Sequence, residues 1–251
     1  MAKSIDLNSD LGEGAGTDAA LMPLITSANI ACGGHAGNDN TMRTTVELAM
    51  RNRVGIGAHP GYPDRERFGR VPMEIPEREL IESIRRQIDS LVGIAGRLGG
   101  RVTHVKAHGA LYNQAERGAG VARSIIFGVQ AATGGHELVI LAPPGSALLD
   151  EATGAGMKVA REGFVDRRYE PDGTLQSRSI AGAVITDPAE AARQALSFVK
   201  DRGVSAVDGS FVELEVDTLC VHGDTPGAAD IASAVRDALS GAKIKVARFR
   251  S

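Results

Sequence analysis

The chain has 251 residues, and its 28 basic residues against 31 acidic ones give a net charge of −3. This balance provides no electrostatic field that would gather nucleic acid or an anionic membrane. Aromatic residues make up 4% of the chain and tryptophan is absent, so stacking platforms for bases are scarce. We therefore expect a small molecule or a protein as partner, with no nucleic acid and no membrane.

A single domain over residues 1–251 is expected, because no linker, charge block or low-complexity tract interrupts the chain. The N-terminus lacks the pattern of a signal peptide, and no apolar run reaches the roughly 18 residues of a membrane span. The two cysteines, Cys32 and Cys220, are too few for a disulfide framework. These features predict a cytoplasmic protein with reduced cysteines.

Predicted strands and helices alternate along the chain. Strand-like apolar runs lie at 5–8, 28–32, 54–58, 102–106, 138–142, 158–160 and 214–221. The clearest helix covers 77–98, where apolar residues form one stripe between charged ones. Asp187-Pro188 and Thr225-Pro226 predict two further helix starts, because each offers an N-cap side chain followed by proline. Repeated βα units imply a mainly parallel sheet.

Polar clusters recur at one end of most of these strands. They contain acid, amide, histidine or lysine residues and cover 6–13, 29–35, 59–64, 104–109, 162–167 and 217–224. An open doubly wound sheet gathers its ligand groups at one switch point, whereas a barrel draws them from the carboxyl ends of most strands. We therefore predict an α/β fold with a single TIM-like (β/α) barrel, closed or incomplete, and an enzyme site at those strand ends.

The first cluster contains the strongest carboxylate candidates. Asp6, Asn8 and Asp10 share one strand face by alternation, and Glu13 follows in a glycine-rich stretch. Buried carboxylates need partners or a metal, which favours Asp10 and Glu13 as functional groups. The alternative is that some of these residues cap helices or lie in a surface turn.

Two histidines follow the next two strands. His35 and His59 each lie among glycines, where an imidazole can face a ligand, a proton or a metal. Together with Asp10 they would suffice for a divalent metal centre with open positions, although no compact metal motif is present. Cys32, in an apolar strand, is expected to pack in the core rather than act as a nucleophile.

His104, Lys106 and His108 recur at every second position and would point into the barrel if the strand persists. A buried lysine could orient a substrate carboxylate or polarise a carbonyl, and the alternative for Lys106 is a salt bridge to a barrel carboxylate. His222 presents a similar choice between a ligand contact and a structural histidine.

The cluster at 162–167 offers an acid or base and a clamp for an anion. Glu162 and Asp166 could transfer protons, and Arg167 could bind a carboxylate through two parallel N–H···O bonds. These three residues could equally pair with one another. His136 is predicted in a surface loop.

Two common nucleotide-binding motifs are absent from the sequence. The glycines at 12, 14 and 16 are too closely spaced for a dinucleotide fingerprint, and no glycine-rich run ends in Lys-Ser or Lys-Thr as a P-loop does. Use of ATP would therefore require another site or a partner protein.

Five motifs together resemble those of the LamB/YcsF family over nearly the whole chain. They read DLNSDLGEG at 6–14, SANIACGGHAG at 27–37, IGAHPGYPD at 56–64, HVKAHGALYN at 104–113 and DTLCVHGD at 217–224. The resemblance implies a seven-stranded barrel of the glycoside hydrolase/deacetylase type. It also implies the role of the A subunit in a 5-oxoprolinase, which opens 5-oxo-L-proline or a related lactam to L-glutamate with the B and C subunits and ATP supplied through the complex.

Under this resemblance, the expected catalytic residues are Asp10, Glu13, His59, Lys106 and His108. One of Asp10, Glu13 and His59 would activate water, and His108 would protonate the lactam nitrogen. The substrate carboxylate would lie on Lys106 or Arg167. The remaining expected substrate-binding residues are Asn8, Asn29, His222 and Asp224.

Two other functions stay open from the sequence. The first is a self-sufficient, metal-dependent amidase or deacetylase that acts on a small amide without ATP. The second is a non-catalytic carrier that delivers a lactam to partner enzymes.

Overall fold

The computed structural model describes residues 4–133 and 138–249, so His136 lies outside the described residues. The strands in chain order are β1 Ser4–Leu11, β2 Ser27–Ala31, β3 Gly55–His59, β4 Val102–Lys106, β5 Val139–Ala142, β6 Lys158–Phe164, β7 Gly203–Ser205, β8 Phe211–Glu213, β9 Thr218–Cys220 and β10 Lys245–Val246.

Seven parallel strands close into a barrel, which confirms the predicted fold. Their order is β1-β2-β3-β4-β5-β6-β9, and β9 pairs with β1 to close the ring. The short strand β10 extends the sheet beside the start of β1, where Ser4 lies opposite Lys245. Strands β7 and β8 form a separate antiparallel pair. The carboxyl ends of all seven barrel strands therefore open toward one face.

Helices connect and surround the strands. They are α1 Asp18–Leu21, α2 Asp39–Asn52, α3 Glu77–Arg97, α4 Gly109–Arg117, α5 Ala119–Thr133, α6 Ala147–Gly154, α7 Pro188–Lys200 and α8 Ala228–Gly241, with a 3-10 turn at Met22–Leu24. The predicted stripe of α3 is buried at Leu80, Ile84, Ile88 and Leu91. Within the described ranges, no helix is long and apolar enough to cross a membrane.

The two predicted helix starts have different outcomes. The Asp187 side chain accepts from the Ala189 N–H at the start of α7, which confirms its capping role. Helix α8 begins instead at Ala228 after Gly227, so the prediction from Thr225-Pro226 is wrong. The Thr225 hydroxyl donates to the Asp166 carboxylate, and this tertiary bond replaces the predicted cap.

The segment predicted as one strand at 214–221 is divided in the structure. Its first part follows β8, which pairs with β7, and only β9 belongs to the barrel. The break lies beside Asp217, whose carboxylate accepts from the backbone and the guanidinium of Arg161 at 2.9 Å. The backbone of Asp217 also bonds to Arg161 and Asp6, so pairing with the barrel begins at this residue.

Polar residues fill much of the barrel interior, whereas the apolar core lies between the strands and the helices. Along β1, Asp6, Asn8 and Asp10 bond to side chains of other barrel strands, and Leu7 and Leu11 belong to the apolar core. This is the period-two alternation of a strand with two buried faces. A polar interior explains why functional groups can stand within the barrel.

A candidate active site at the carboxyl ends of the strands

A cavity of about 600 Å³ opens at the carboxyl ends of the barrel strands. Its volume is typical of a site for a small molecule. The predicted site residues that line it are Asp10, Glu13, His59, Lys106, His108, Arg167, His222 and Asp224. The barrel therefore brings together candidates from most of the polar clusters.

Asn8 and Asn29, predicted to bind substrate, lie beneath the cavity and are not among the residues that line it. The Asn29 amide donates to Asn8 Oδ1 and to Asp10 Oδ1, both at 2.8 Å. The Asn8 amide in turn donates to the Thr218 hydroxyl at 2.8 Å. Because these bonds occupy the amide groups inside the barrel, the two asparagines position Asp10.

Lys106 is a buried cation with three partners. Its Nζ lies 3.0 Å from Asp10 Oδ1, 2.9 Å from Glu162 Oε1 and 3.1 Å from Cys220 Sγ. Burial opposes protonation, but Asp10, Cys220 and Glu162 outweigh it and raise the pKa of Lys106 well above its usual value. The alternative of a barrel salt bridge is thus what the geometry shows. The ammonium hydrogen-bonds to Asp10 and Cys220, and Glu162 compensates its charge as an ion pair.

Four ionisable side chains converge above Lys106, namely Glu13, His35, His59 and His108. His59 Nδ1 lies 2.8 Å from the Lys106 carbonyl, and His108 Nε2 lies 2.9 Å from the Phe68 carbonyl. Carbonyls only accept, so these two nitrogens carry the protons. His59 Nε2 and His108 Nδ1 then face each other at 3.0 Å, an arrangement that requires a proton on one of them or a metal cation between them.

The Glu13 carboxylate completes this group. Its Oε1 lies 2.8 Å from His35 Nε2 and 3.1 Å from His108 Nδ1. Burial opposes its ionisation, but the bonds from His108 and His35 outweigh burial and lower the pKa of Glu13. Burial lowers the pKa of His59 to about 3. The group therefore combines a carboxylate with neutral imidazole at His59.

Two glycines allow the loop after β3 to lie close to the imidazoles. The rings of His35 and His108 stack with centroids 3.5 Å apart. A Cβ on Gly61 would lie 2.6 Å from His35 Nδ1, and a Cβ on Gly69 would lie 2.7 Å from the His35 Cβ. Gly69 also has a φ of +61°, which side chains rarely adopt. The loop after β3 thus packs against the histidines through bare backbone.

The donor atoms of this group suit a divalent metal such as zinc, which binds imidazole and carboxylate. Carbonyl acceptors fix the outer nitrogens of His59 and His108, as is usual for metal-binding histidines. This group differs from the predicted metal ligands Asp10, His35 and His59. Glu13 and His108 lie with the two histidines, and Asp10 is not part of the group. Asp10 Oδ2 lies 3.5 Å from His59 Nε2 and bonds mainly to Lys106.

His222 lines another wall of the cavity and forms a dyad with Asp166, which does not line it. His222 Nδ1 lies 2.9 Å from Asp166 Oδ1, and the His222 backbone N–H and the Thr225 hydroxyl donate to Asp166 Oδ2. Burial opposes ionisation of Asp166, but His222 outweighs it and lowers the pKa of Asp166 to about 2. Within the described residues no hydrogen bond occupies His222 Nε2. An oriented imidazole thus presents one nitrogen to the cavity.

Arg167 is a second buried cation, and it lacks the carboxylate partners of Lys106. Its Nη2 donates to the Gln176 carbonyl, and its buried Nε has no hydrogen-bond partner in the described part of the chain. Burial and then the neighbouring Arg178 lower the pKa of Arg167 to about 10. A buried guanidinium of this kind is suited to bind an anion.

Three other residues at the cavity were not predicted from the sequence. Tyr112 donates to Glu162 Oε2 at 2.8 Å, and Arg70 and Arg178 line the cavity from the loops after β3 and β6. None of the three directly follows a strand, so strand-end clustering gives no signal for them. The Phe68-Gly69-Arg70 segment offered one clue, because a glycine beside a cation is typical of backbone that closely approaches a ligand.

The barrel and its cavity of paired acids, imidazoles and a buried arginine define a hydrolase-type (β/α)-barrel protein. The chain belongs to the LamB/YcsF family, whose model matches residues 5–251. A protein of Methylococcus capsulatus, named as the A subunit of 5-oxoprolinase, is 48% identical over 98% of this chain and 96% of its own length. A protein of Pyrococcus furiosus with the same name is 46% identical, over 96% of each chain.

Solved structures show the same architecture. A lactam utilization protein from Thermus thermophilus superposes with a TM-score of 0.91 at 42% identity, over 98% of this chain and all of that chain (100%). A family 4 carbohydrate esterase from Streptomyces lividans has a TM-score of 0.53 at 10% identity, over 97% and 91% of the two chains. The second likeness concerns the fold alone and confirms the predicted deacetylase type of barrel.

Proposed function

We propose that this chain is the A subunit of an ATP-dependent 5-oxoprolinase, which converts 5-oxo-L-proline to L-glutamate together with the B and C subunits. The observation that carries the proposal is the buried Arg167, whose Nε lacks a partner within the described residues, in a cavity that also holds Asp10 and His222. Such a cavity suits a small carboxylate that undergoes acid and base chemistry. The names of the relatives in Methylococcus capsulatus and Pyrococcus furiosus support the substrate.

ATP answers a chemical difficulty of the lactam. The ring amide is unactivated, and transfer of the γ-phosphoryl group to its oxygen makes the ring carbon susceptible to water. Water then adds to that carbon, the ring C–N bond breaks as the nitrogen gains a proton, and a second water releases phosphate from the resulting acyl phosphate. The balance is one lactam, one ATP and two waters to glutamate, ADP and phosphate. The sequence has no P-loop, so partner subunits would carry out the phosphoryl transfer.

The contacts of three residues indicate the role of each in this reaction. Arg167 binds the substrate carboxylate, because the charge of Lys106 is already compensated by Asp10 and Glu162. Asp10, held by Lys106 and Asn29, accepts the proton of the attacking water. His222, oriented by Asp166, gives a proton to the ring nitrogen through Nε2.

The assignment of proton transfer to His222 replaces the sequence-based expectation of His108. Both ring nitrogens of His108 are engaged, one with the Phe68 carbonyl and the other with Glu13 and His59. The carbonyl of Phe68 fixes the proton on Nε2, and the remaining nitrogen faces the Glu13 group. His108 thus belongs to the group that would hold a metal.

A divalent metal would be held by Glu13, His35, His59 and His108, whose donor atoms converge. When bound, it would polarise the carbonyl and lower the pKa of a coordinated water. Asp10 and His222 perform their proton transfers from outside this group. The other ring nitrogen of His35, Nδ1, is buried and has no hydrogen-bond partner within the described residues. No second hydrogen bond from this part of the chain therefore fixes the orientation of the ring.

The test is glutamate release from 5-oxoproline by the purified chain, alone and with the B and C subunits, each with and without ATP. We expect release only when all three proteins and ATP are present. The variant Arg167→Gln should then raise KM for 5-oxoproline by about tenfold or more, because a charged hydrogen bond to the carboxylate is lost. Release by no mixture would contradict the proposal and return attention to a lactam carrier.

A metal-dependent amidase that needs no ATP is the second candidate, and the four converging donors favour it. Its signature would be stoichiometric bound metal together with amide hydrolysis by the chain alone. Metal analysis of the protein as purified, followed by assay before and after dialysis against a chelator, separates the two functions. Full activity without ATP and partners, lost on chelation, would support this candidate and oppose the 5-oxoprolinase.

A further inference from the structure

Two arginines share one carboxylate at the solvent side of the cavity, and a third arginine lies deeper. Arg70 Nη2 forms an ion pair with Asp224 Oδ2, and Arg178 Nη1 lies 3.8 Å from Asp224 Oδ1. Arg167, deeper in the cavity, has no carboxylate ion pair in the part of the chain that the structure describes. Asp224 therefore serves two guanidiniums, and the third has none.

This arrangement leaves Arg70 and Arg178 with one carboxylate between them, and Arg167 without a carboxylate ion pair in the described residues. Arg178 and Arg70 both act, after burial, to lower the pKa of Arg167, so the three cations lie within one field. The charge of Asp166 partly offsets this field at Arg167, but its two oxygens are bonded to His222 and Thr225 and not to the guanidinium. A substrate carboxylate would pair with Arg167. Arg70 and Arg178, which share one partly exposed carboxylate, can bind a further anionic group on the same ligand.

We propose that Arg70 and Arg178 form a phosphoryl-binding subsite, so that the chain takes a small substrate carrying both a carboxylate and a phosphoryl group. The inference rests on the proposed function, in which the lactam oxygen carries the phosphoryl group and Arg167 binds the carboxylate. Guanidinium groups match phosphate oxygens in pairs.

Asp224 is the partner that the phosphoryl group replaces. Its side chain is 24% exposed, and that of Arg70 is 40% exposed. Ion pairs that remain so open to water are weak, so a dianion can displace the carboxylate from the two arginines. Asp224 thus keeps the subsite assembled between substrates and competes with the ligand.

Inorganic phosphate is the probe, and its affinity for the full chain is measured by isothermal titration calorimetry. Arg70→Gln and Arg178→Gln should each weaken phosphate binding by about tenfold, because each removes charged hydrogen bonds. The control Arg117→Gln changes an exposed cavity arginine paired with Asp172 at 3.1 Å and should leave the affinity within about twofold. Asp224→Asn should strengthen binding, since it removes the competing charge.

The rise in affinity for Asp224→Asn distinguishes this subsite from a merely structural ion pair, which predicts no gain. Phosphate binding that ignores Arg70 and Arg178, or that is undetectable, would overturn the subsite even if the reconstituted enzyme releases glutamate. Conversely, phosphate binding that depends on both arginines, without glutamate release by any mixture, would leave the subsite standing and reject the 5-oxoprolinase.

Discussion

Two buried cations, Lys106 and Arg167, differ in what surrounds them. Lys106 contacts Asp10, Glu162 and Cys220, whereas Arg167 donates to one backbone carbonyl and keeps a buried Nε without a partner in the described residues. A buried charge is stable only when it is compensated. Lys106 therefore stabilises the fold, whereas Arg167 is available to bind an anion.

Lys106→Met should lower the free energy of unfolding by about 3–5 kcal/mol, because it leaves two buried carboxylates without their cation. Urea unfolding followed by circular dichroism measures the loss. The control Lys200→Met alters an exposed lysine at the end of α7 and should change stability by at most about 0.5 kcal/mol. Equal stability of the two variants would contradict the structural role of Lys106.

Asp166→Asn should reduce kcat of the reconstituted enzyme by about 10²- to 10⁴-fold, because the acceptor that holds the Nδ1 proton of His222 is altered. KM should change much less, since Asp166 does not line the cavity. The control Thr225→Val removes one donor to Asp166 but keeps the dyad, and its kcat should fall by less than about tenfold. A kcat for Asp166→Asn equal to that of the unsubstituted enzyme would exclude His222 as the proton donor.

At the scale of elements, the loop after β3 builds much of the site. It supplies Gly61 and Gly69, which lie against His35, and the Phe68 carbonyl, which accepts from His108. Phe68 has a φ of +55°, a conformation uncommon for a residue with a side chain. The loop is therefore fitted to the histidines at the expense of its own backbone preference.

Gly69→Ala tests this fit. The added Cβ would lie 2.7 Å from the His35 Cβ at a φ of +61°, so we expect a loss of about 1–3 kcal/mol in the free energy of unfolding. The control Gly96→Ala lies on an exposed turn of α3 with no atom within 4 Å of the new Cβ. It should stabilise the chain by up to about 1 kcal/mol, because alanine favours helix over glycine. Opposite signs in urea unfolding confirm the prediction, and matching signs contradict it.

The whole molecule combines a polar barrel interior with an apolar core between the strands and the surrounding helices. Asp6, Asn29 and His104 lie fully buried inside the ring of strands, linked by hydrogen bonds to neighbouring strands. Gly57 in β3 makes room for this interior, since a Cβ there would lie 2.1 Å from His104 Nε2. Buried ionisable groups make the stability of the entire fold depend on pH.

His104→Asn tests that dependence. Burial, and then the charge of Lys106, lower the pKa of His104 to about 3 in the folded chain. In the unfolded chain an ordinary imidazole has a pKa of about 6.5. Between these two pKa values the unfolded chain binds more protons than the folded chain, so the free energy of unfolding rises with pH. Above the upper pKa both states are neutral at this residue, and His104 no longer changes the free energy of unfolding as the pH rises further.

The variant should therefore flatten the pH dependence of stability in that window, by up to about 1.4 kcal/mol per pH unit. Urea unfolding at a series of pH values measures both slopes. Above the window the two curves should run parallel, which serves as an internal control. A variant that keeps the original slope would show that His104 is not the group responsible.

The alternation of strands and helices follows from the sequence, because periodicities of 2 and 3.6 residues are local properties of the chain. They predict the parallel barrel, the buried stripe of α3 and the polar ends of the strands that form the cavity. Thr225-Pro226 misled the same reasoning, since the Thr225 hydroxyl bonds to Asp166, 59 residues away. Local patterns fail where a distant partner offers the stronger bond.

Partners inside the site were decided by the tertiary structure alone. Lys106 pairs with Asp10 across 96 residues, and Asp224 pairs with Arg70 across 154. Spacing along the chain could name Lys106 and Arg167 as candidates, but it could not tell the compensated cation from the uncompensated one. Compensation depends on which strands and loops closure of the barrel brings within a few ångströms, and Coulomb interactions act over that distance rather than along the sequence.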